Sequence, residues 1–361
     1  MNSNRFSGYT QKRMTSLSKT AFYAQKTIKY GILGFLLLII GKLAYDLFET
    51  QWEKTHPTPL PSPTVTFGKL PQLKYPKQEF DYPGEYVLET STGTFPQFTT
   101  QLRVFFSPFR QPNLLAFDRA KEKAAKLGFT QEPIKVNENI FRWTKDNPSG
   151  SILEMDIFTG TFKQNYDWLQ EIDLFEKGSS PNMAKAEDIG KSFLKRIDSL
   201  ETDLITGKTE SSYLQYKGGI LIPAKSLSEA DFTKVEIYRQ DTDNLPVITA
   251  FENQGIISLL ISGTQATGKK IARVEFNYYP INLDSQATYP LKTIAQAWEN
   301  LKENKAYLVS FKGNEKATIR KIYLAYYDSQ EPQEYLQPIY VFEGDEDFKA
   351  ILPAIDQNWI K

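Results

Sequence analysis

The densest apolar run in the chain lies close to its start. From Tyr30 to Gly41 the residues read YGILGFLLLIIG without a charge, and Ala21 to Ile28 and Leu43 to Phe48 extend the run on both sides. A bilayer core takes about 20 mainly apolar helical residues. The segment reaches that length when Lys26 and Lys29, or Lys42, extend their ammonium groups to the interface, so the pattern predicts a membrane-spanning helix over residues 28–48. The residues that follow, KLAYDLFETQWEK, contain no small-x-small cleavage site, which favours a retained span over a cleaved signal peptide.

Beyond the span the pattern changes. His56 to Pro63 alternates proline with small or polar residues, the composition of an extended polyproline spacer, and residues 49–66 read as a linker. Residues 67–180 read as a first module. Strand-like pieces at Tyr86–Leu88 and Leu102–Phe106 precede a helix that Asn113 can cap and Gly128 can stop, with Phe117, Ala120, Ala124 and Leu127 at helical spacing. The period then drops to two at Ile140–Thr144 and again at Leu153, Met155 and Ile157, with the turn Asp146–Gly150 between them.

A second module over residues 181–284 opens with a helix near Lys185–Asp198 that presents Ala186, Ile189, Phe193 and Ile197 on one face. Strand signals follow at Tyr213–Tyr216, Val235–Arg239, Val247–Phe251, Ile256–Ile261 and Ile271–Tyr279. The third module, residues 285–361, has a helix at Thr293–Lys302 burying Ile294, Ala297, Trp298 and Leu301, then strands at Tyr307–Phe311, Ile319–Tyr327 and Leu336–Phe342. Single helices punctuating runs of strands joined by hairpin-length turns imply an α+β fold: a transmembrane helix followed by repeated helix-on-antiparallel-sheet modules.

Charge gives this layout a direction. Arg5, Lys12, Arg13, Lys19, Lys26 and Lys29 precede or enter the apolar run, residues 1–45 contain no acid, and Asp46, Glu49 and Glu53 follow. Positive charge stays on the cytoplasmic side, so residues 1–27 are expected to form a cytoplasmic tail and the C-terminal region an extracytoplasmic one at the cell membrane. Lys plus Arg and Asp plus Glu both total 43 in 361 residues. There is thus no global basic field to hold a nucleic acid, which is not expected as a partner.

The inventory removes further chemistries. With no cysteine there is no thiol catalysis, disulfide or thiolate metal site, and with His56 the only histidine, in the linker, the folded region lacks a histidine base and a two-histidine zinc site. Gly263–Lys269, GTQATGK, comes close to a phosphate-binding loop, but Lys270 stands where a Ser or Thr is required and IARVEFNYY then alternates with period two, so a hairpin loop is expected. Glu154 and Asp156 alternate with Leu153 and Met155 and should face solvent. Glu343–Asp347 places four acids in five positions without the spacing of a calcium loop and reads as an acidic turn. Tyr278, Tyr279, Tyr326, Tyr327, Tyr335 and Tyr340 are the candidate partner-binding residues, since tyrosine offers contact area at low entropy cost.

Two stretches carry a resemblance. AFDRAKEKAAKLG at Ala116–Gly128 with LEMDIFTGTF at Leu153–Phe162 resembles a PepSY-type module. YPLKTIAQAWENL at Tyr289–Leu301, IRKIYLAYYD at Ile319–Asp328 and LQPIYVFEG at Leu336–Gly344 resemble the C-terminal part of the YycH/YycI family of membrane-anchored sensor-kinase regulators. Together they cover about half the chain and consist of packing residues, and no counterpart was found for Gln215–Ile281. The resemblance implies an envelope regulator acting through protein contacts, with no catalytic residue, cofactor or metal to carry over. The expectation is therefore a non-catalytic, membrane-anchored interaction or regulatory protein with a protein partner in the envelope. The alternatives are a peptide or glycan receptor and a cell-wall hydrolase using paired carboxylates.

Overall fold

The computed structural model describes residues 16–55, 61–108, 114–146, 150–175, 180–266, 268–313 and 315–361. His56, Asn113 and residues 147–149 of the expected turn lie outside them. Helix α1 (Ser16–Thr55) is 40 residues long, about 60 Å at the rise of an α-helix. Its stretch Thr20–Glu49 is the one helix among the described residues long and apolar enough to cross a membrane, and a signal sequence would satisfy the same criterion. Residues 1–62 and 63–361 are two separate units.

The second unit runs in the order β1 (Glu85–Leu88), β2 (Gln101–Phe106), α2 (Ala116–Lys126), β3 (Ile134–Lys135), β4 (Ile140–Lys145), β5 (Ser151–Asp156), β6 (Phe162–Asn165), a 3-10 segment Trp168–Phe175, α3 (Met183–Arg196) and the single turn α4 (Thr202–Ile205). It continues with β7 (Thr209–Lys217), β8 (Ile220–Pro223), β9 (Phe232–Ile237), β10 (Val247–Ile248), β11 (Ile257–Ser262), β12 (Ile271–Phe276), β13 (Asn282–Pro290), α5 (Ile294–Lys302), β14 (Tyr307–Ser310), β15 (Lys316–Tyr327), β16 (Tyr335–Gly344) and β17 (Lys349–Pro353).

These strands form two large, mainly antiparallel sheets. One has nine strands in the order β3-β4-β5-β6-β12-β11-β9-β7-β8. The other has eight, built on β1-β15-β16-β17-β14, with β10 alongside β15 and β2 joining β13 to β16; β1 and β10 pair with β15 in parallel. The mixed α+β character is as expected, but the three repeated modules do not appear as separate sheets. The first two share the nine-stranded sheet through the β6–β12 pairing, where Phe162 stands opposite Phe276 and their rings stack at 5.1 Å. The strands of the third combine with β1, β2 and β10 from earlier in the chain.

Apolar periodicity explains which faces are covered. Ala120, Ala124 and Leu127 of the α2 region and Ala186, Phe193 and Leu194 of α3 share one core with Trp143, Leu153, Met155, Leu259 and Val274 of the nine-stranded sheet. Trp168, Phe175 and Phe232 belong to a second cluster with Leu260 and Ala272. Strand β16 is buried without interruption from Leu336 to Phe342, the signature of a strand covered on both faces. Phe342 and Tyr340 pack with Trp298 and Leu301 of α5, whereas Val341 and Ile339 pack with Tyr307 and Tyr327.

Helix starts follow local chemistry. The Asn182 side chain accepts from the Lys185 amide at 2.9 Å, so α3 begins at Met183 rather than Lys185. Thr293 and Gln296 form a reciprocal capping box on α5. Thr293→Ala removes one side of that box and should lower stability by about 1 kcal/mol, read as a shift of the urea midpoint with an unchanged slope.

Candidate functional site

One flank of α3 carries Lys185, Asp188, Ile189, Ser192, Phe193 and Arg196, spaced by three or four residues and therefore aligned along the helix. They form one wall of a cleft of about 420 Å³; the other side is supplied by Leu127, Lys145 at the end of β4, Gln164 of β6, and Gly268, Lys270 and Ile271 where β11 turns into β12. The floor is apolar and the rim is basic, with four cations (Lys145, Lys185, Arg196, Lys270) facing one acid, Asp188. None of the five takes part in an ion pair within 4.0 Å among the described residues.

Two of these groups have unmet needs. Burial, and next the neighbouring Arg196, pushes the Lys145 ammonium below its ordinary pKa; its Nζ lies over the Phe129 ring at 4.5 Å, which returns only part of the lost hydration. An anion in the cleft would restore the charge-stabilising field. Gln164 is 7% exposed, and its Oε1 is sealed from the cleft with no hydrogen-bond donor among the described residues. The cleft can thus fix an anion. Only the α3 stripe is visible in sequence spacing, because Lys145, Gln164 and Lys270 arrive through strand pairings between distant segments.

The six candidate tyrosines do not share one surface. Tyr326, Tyr327 and Tyr340 are buried, and their hydroxyls donate to the carbonyls of Arg103, Lys74 and Lys292 at 2.9, 3.0 and 2.8 Å. Tyr335 is half-buried between the rings of Phe67 and Phe106. Tyr278 and Tyr279 lie elsewhere, around Arg239. The reason is strand position: β15 and β16 are central, so their tyrosines fill core on both faces.

The other sequence features resolve as structure. The Gly-containing segment closes the antiparallel β11–β12 hairpin, with Ser262 donating to the Lys270 carbonyl at 2.8 Å, and Lys269 is held by Glu171, which Tyr166 also contacts. Glu154 pairs with Arg142 at 2.6 Å, and Asp156 accepts from the amides of Phe158 and Thr159 in the next turn. The acidic turn joins β16 to β17, and three of its four acids are paired separately: Glu343 with Lys349 at 3.2 Å, Asp345 with Arg320 at 2.6 Å and Asp347 with Lys312 at 2.5 Å. No cluster of three or more potential metal ligands occurs among the described residues.

Arg239, just past β9 and at the end of the expected strand Val235–Arg239, is a buried cation that sequence reading missed because its partners come from distant segments. Its Nε meets Asp328 beyond β15 at 3.0 Å, another nitrogen meets Asp203 of α4, and a third donates to the Tyr279 carbonyl at 2.7 Å. The Tyr278 hydroxyl donates to Asp203 at 3.1 Å, and the guanidinium lies over its ring at 4.8 Å. All of these partners belong to the fold, so the group works as a bolt between strand ends of the two sheets.

Fold and cleft together define an α+β protein with one N-terminal apolar helix and large antiparallel sheets. No family model and no curated protein matches the chain. Among solved structures it is similar to an uncharacterized protein from Eubacterium rectale, with 13% identity over 70% of this chain and 82% of that one and a TM-score of 0.38, a likeness too remote to carry an argument.

Proposed function

We propose that the chain is a single-pass, membrane-anchored, extracytoplasmic protein that acts by binding, and that its α3 cleft takes an acidic segment of a protein partner in the envelope. The observation that carries this reading is the cleft itself: four cations that have no carboxylate partner among the described residues, above an apolar floor. Carboxylates of the partner would engage the cations, and its apolar side chains the floor. The apolar helix and the charge asymmetry across it support the anchor and its direction. The resemblance to membrane-anchored sensor-kinase regulators makes a membrane sensor the first partner to test.

The absence of cysteine makes a clean experiment. Ser192→Cys, on the exposed rim of the cleft, should react with a membrane-impermeant maleimide on intact cells, whereas Ser3→Cys in the tail should react only after permeabilisation. Ser192→Cys should also label several-fold more slowly in native membranes than in the purified chain, because the partner covers it. Labelling of Ser3→Cys from outside overturns the topology, and equal rates in membranes and detergent overturn the occupied cleft.

A further inference from the structure

A second cleft, of about 460 Å³, lies beside α5 and shares no lining residue with the α3 cleft. Its lining is polar: Lys292, Gln296, Asn300, Lys305, Asp356 and Gln357. Local geometry brings these groups together. The antiparallel bridge between Leu291 and Ile355 turns the next residues along, Lys292 and Asp356, to one face. Gln296 and Asn300 are four residues apart on α5 and share a side of the helix. Asn304 then takes a left-handed φ of 57°, and the Asn304 and Lys305 amides donate to the carbonyls of Leu301 and Asn300, both at 3.0 Å. That helix-ending turn folds Lys305 back toward Asn300.

Lys292 is the centre of the site. It is 8% exposed; its amide donates to the Ala354 carbonyl at 2.9 Å and its carbonyl accepts from the Tyr340 hydroxyl at 2.8 Å, so its backbone is fixed. Its ammonium has no carboxylate within ion-pair distance and no hydrogen-bond acceptor among the described residues, and it keeps access to the cleft. Burial lowers its pKa, Asp356 opposes that and Lys305 adds to it. One Asp356 oxygen accepts from the Asn358 amide at 2.9 Å, which leaves the other for a further donor. Lys305 pairs with Glu303 at 2.6 Å on the rim. The Asn300 and Gln357 side chains make no hydrogen bond among the described residues.

A buried ammonium without a counter-ion calls for an anion. Two cations against one acid in the lining call for a single negative charge rather than a phosphate dianion. A carboxylate acceptor beside side-chain amides, which both donate and accept, matches neighbouring hydroxyls, which do the same. We infer that this cleft binds a hydroxylated monocarboxylic acid of the hexuronate type, with its carboxylate on Lys292 and its hydroxyls on Asn300, Asp356 and Gln357. The volume lies within the range for small-ligand pockets. Such a unit occurs both as the free sugar acid and as a residue of an acidic polysaccharide.

The test is a saturation-transfer NMR titration of the full chain, in a polyoxyethylene detergent that carries no sugar, with galacturonate, galactose, acetate and tri-galacturonate. Galacturonate should bind, and galactose, which lacks the anion, and acetate, which lacks the hydroxyls, should each bind about 10-fold more weakly or worse. Lys292→Met, which removes the buried charge at similar volume, should weaken galacturonate about 10-fold. Asn300→Asp, which sets a second acid beside the bound anion, should weaken it by a similar factor. Lys270→Ala in the α3 cleft should leave the affinity unchanged. Tighter binding of tri-galacturonate identifies a polysaccharide as the source, and equal or weaker binding identifies the free acid. Acetate or galactose binding as well as galacturonate overturns the inference, as does unchanged affinity in Lys292→Met or a loss of binding in Lys270→Ala. So does the absence of any saturation transfer, which would leave water as the partner of the Lys292 ammonium.

Discussion

Arg239→Met is expected to be among the most damaging single substitutions in the folded unit, costing about 3–5 kcal/mol, because it removes the cation and leaves a buried carboxylate behind. The Asp328 side chain is 6% exposed and the Arg239 side chain 2%. Burial already pushes the Asp328 carboxyl above its usual pKa even with the guanidinium pulling it down; without that pull it rises further. A carboxyl whose folded pKa exceeds its unfolded one binds its proton more tightly in the folded state, so stability rises as pH falls through the window between the two values. The penalty in Arg239→Met should therefore be largest at neutral pH and shrink as the solution is acidified toward the carboxylate range. In the double variant Arg239→Met, Asp328→Asn the loss should fall about 1–3 kcal/mol short of additivity. Urea unfolding of the four proteins at pH 7 and pH 5 measures all of this. An Arg239→Met penalty below about 1 kcal/mol, or one that grows on acidification, would show that water reaches the junction and that the bolt is not buried in solution.

How much of this was open to a reader of the sequence depends on whether the signal is local. Helix α5 is written completely within Thr293–Lys302: a capping box, then Ala297, Trp298 and Leu301 on one face. The β4–β5 hairpin is equally local, with Leu153 and Met155 inward as their alternation implies. Strand β6 was missed because it has four residues and places a polar Gln164 inward beside Phe162. Strand β13 was missed because its first five residues are largely exposed and its buried alternation starts only at Ala287. The expected strand at Val247–Phe251 stops at Ile248, where the Thr249 hydroxyl donates to the Gln254 carbonyl at 2.7 Å and turns the chain.

The larger correction concerns pairing. Periodicity states which face of a strand is apolar but not which strand lies beside it. The three helix-then-strands stretches read as three modules, although β6 meets β12 more than a hundred residues later and β2 meets both β13 and β16. The α3 cleft depends on such encounters: Gln164 and Lys270 reach it through β6 and the β11–β12 hairpin. The tyrosines singled out from the sequence are conspicuous by composition, whereas the residues with unmet hydrogen bonds are conspicuous only once neighbours are known.

Gly255→Ala should cost about 3 kcal/mol, the upper part of the range for overpacking, because the obstacle is backbone rather than a side chain that can rotate away. A Cβ at Gly255 would stand 2.4 Å from the Ile237 carbonyl oxygen and 2.8 Å from the Ile237 carbonyl carbon. Ile237 pairs with Ile257 only two residues further on, so the clash cannot be relieved without drawing β9 and β11 apart at the end of their ladder. The same movement would pull the Gly255 amide from the Glu236 carboxylate, which it reaches at 2.9 Å. Glu236 is buried, burial already raises its pKa, and losing one of its donors makes its charge harder to keep. Gly190→Ala in α3 provides the contrast: its Cβ would meet Leu259 and Val235 side-chain atoms at 3.5–3.8 Å, ordinary contact, and alanine is the better helix former by about 1 kcal/mol. Denaturant midpoints should therefore move in opposite directions for the two variants. Equal, small shifts would mean that the β9–β11 ends separate freely, and would remove the support on which the neighbouring Arg239 bolt depends.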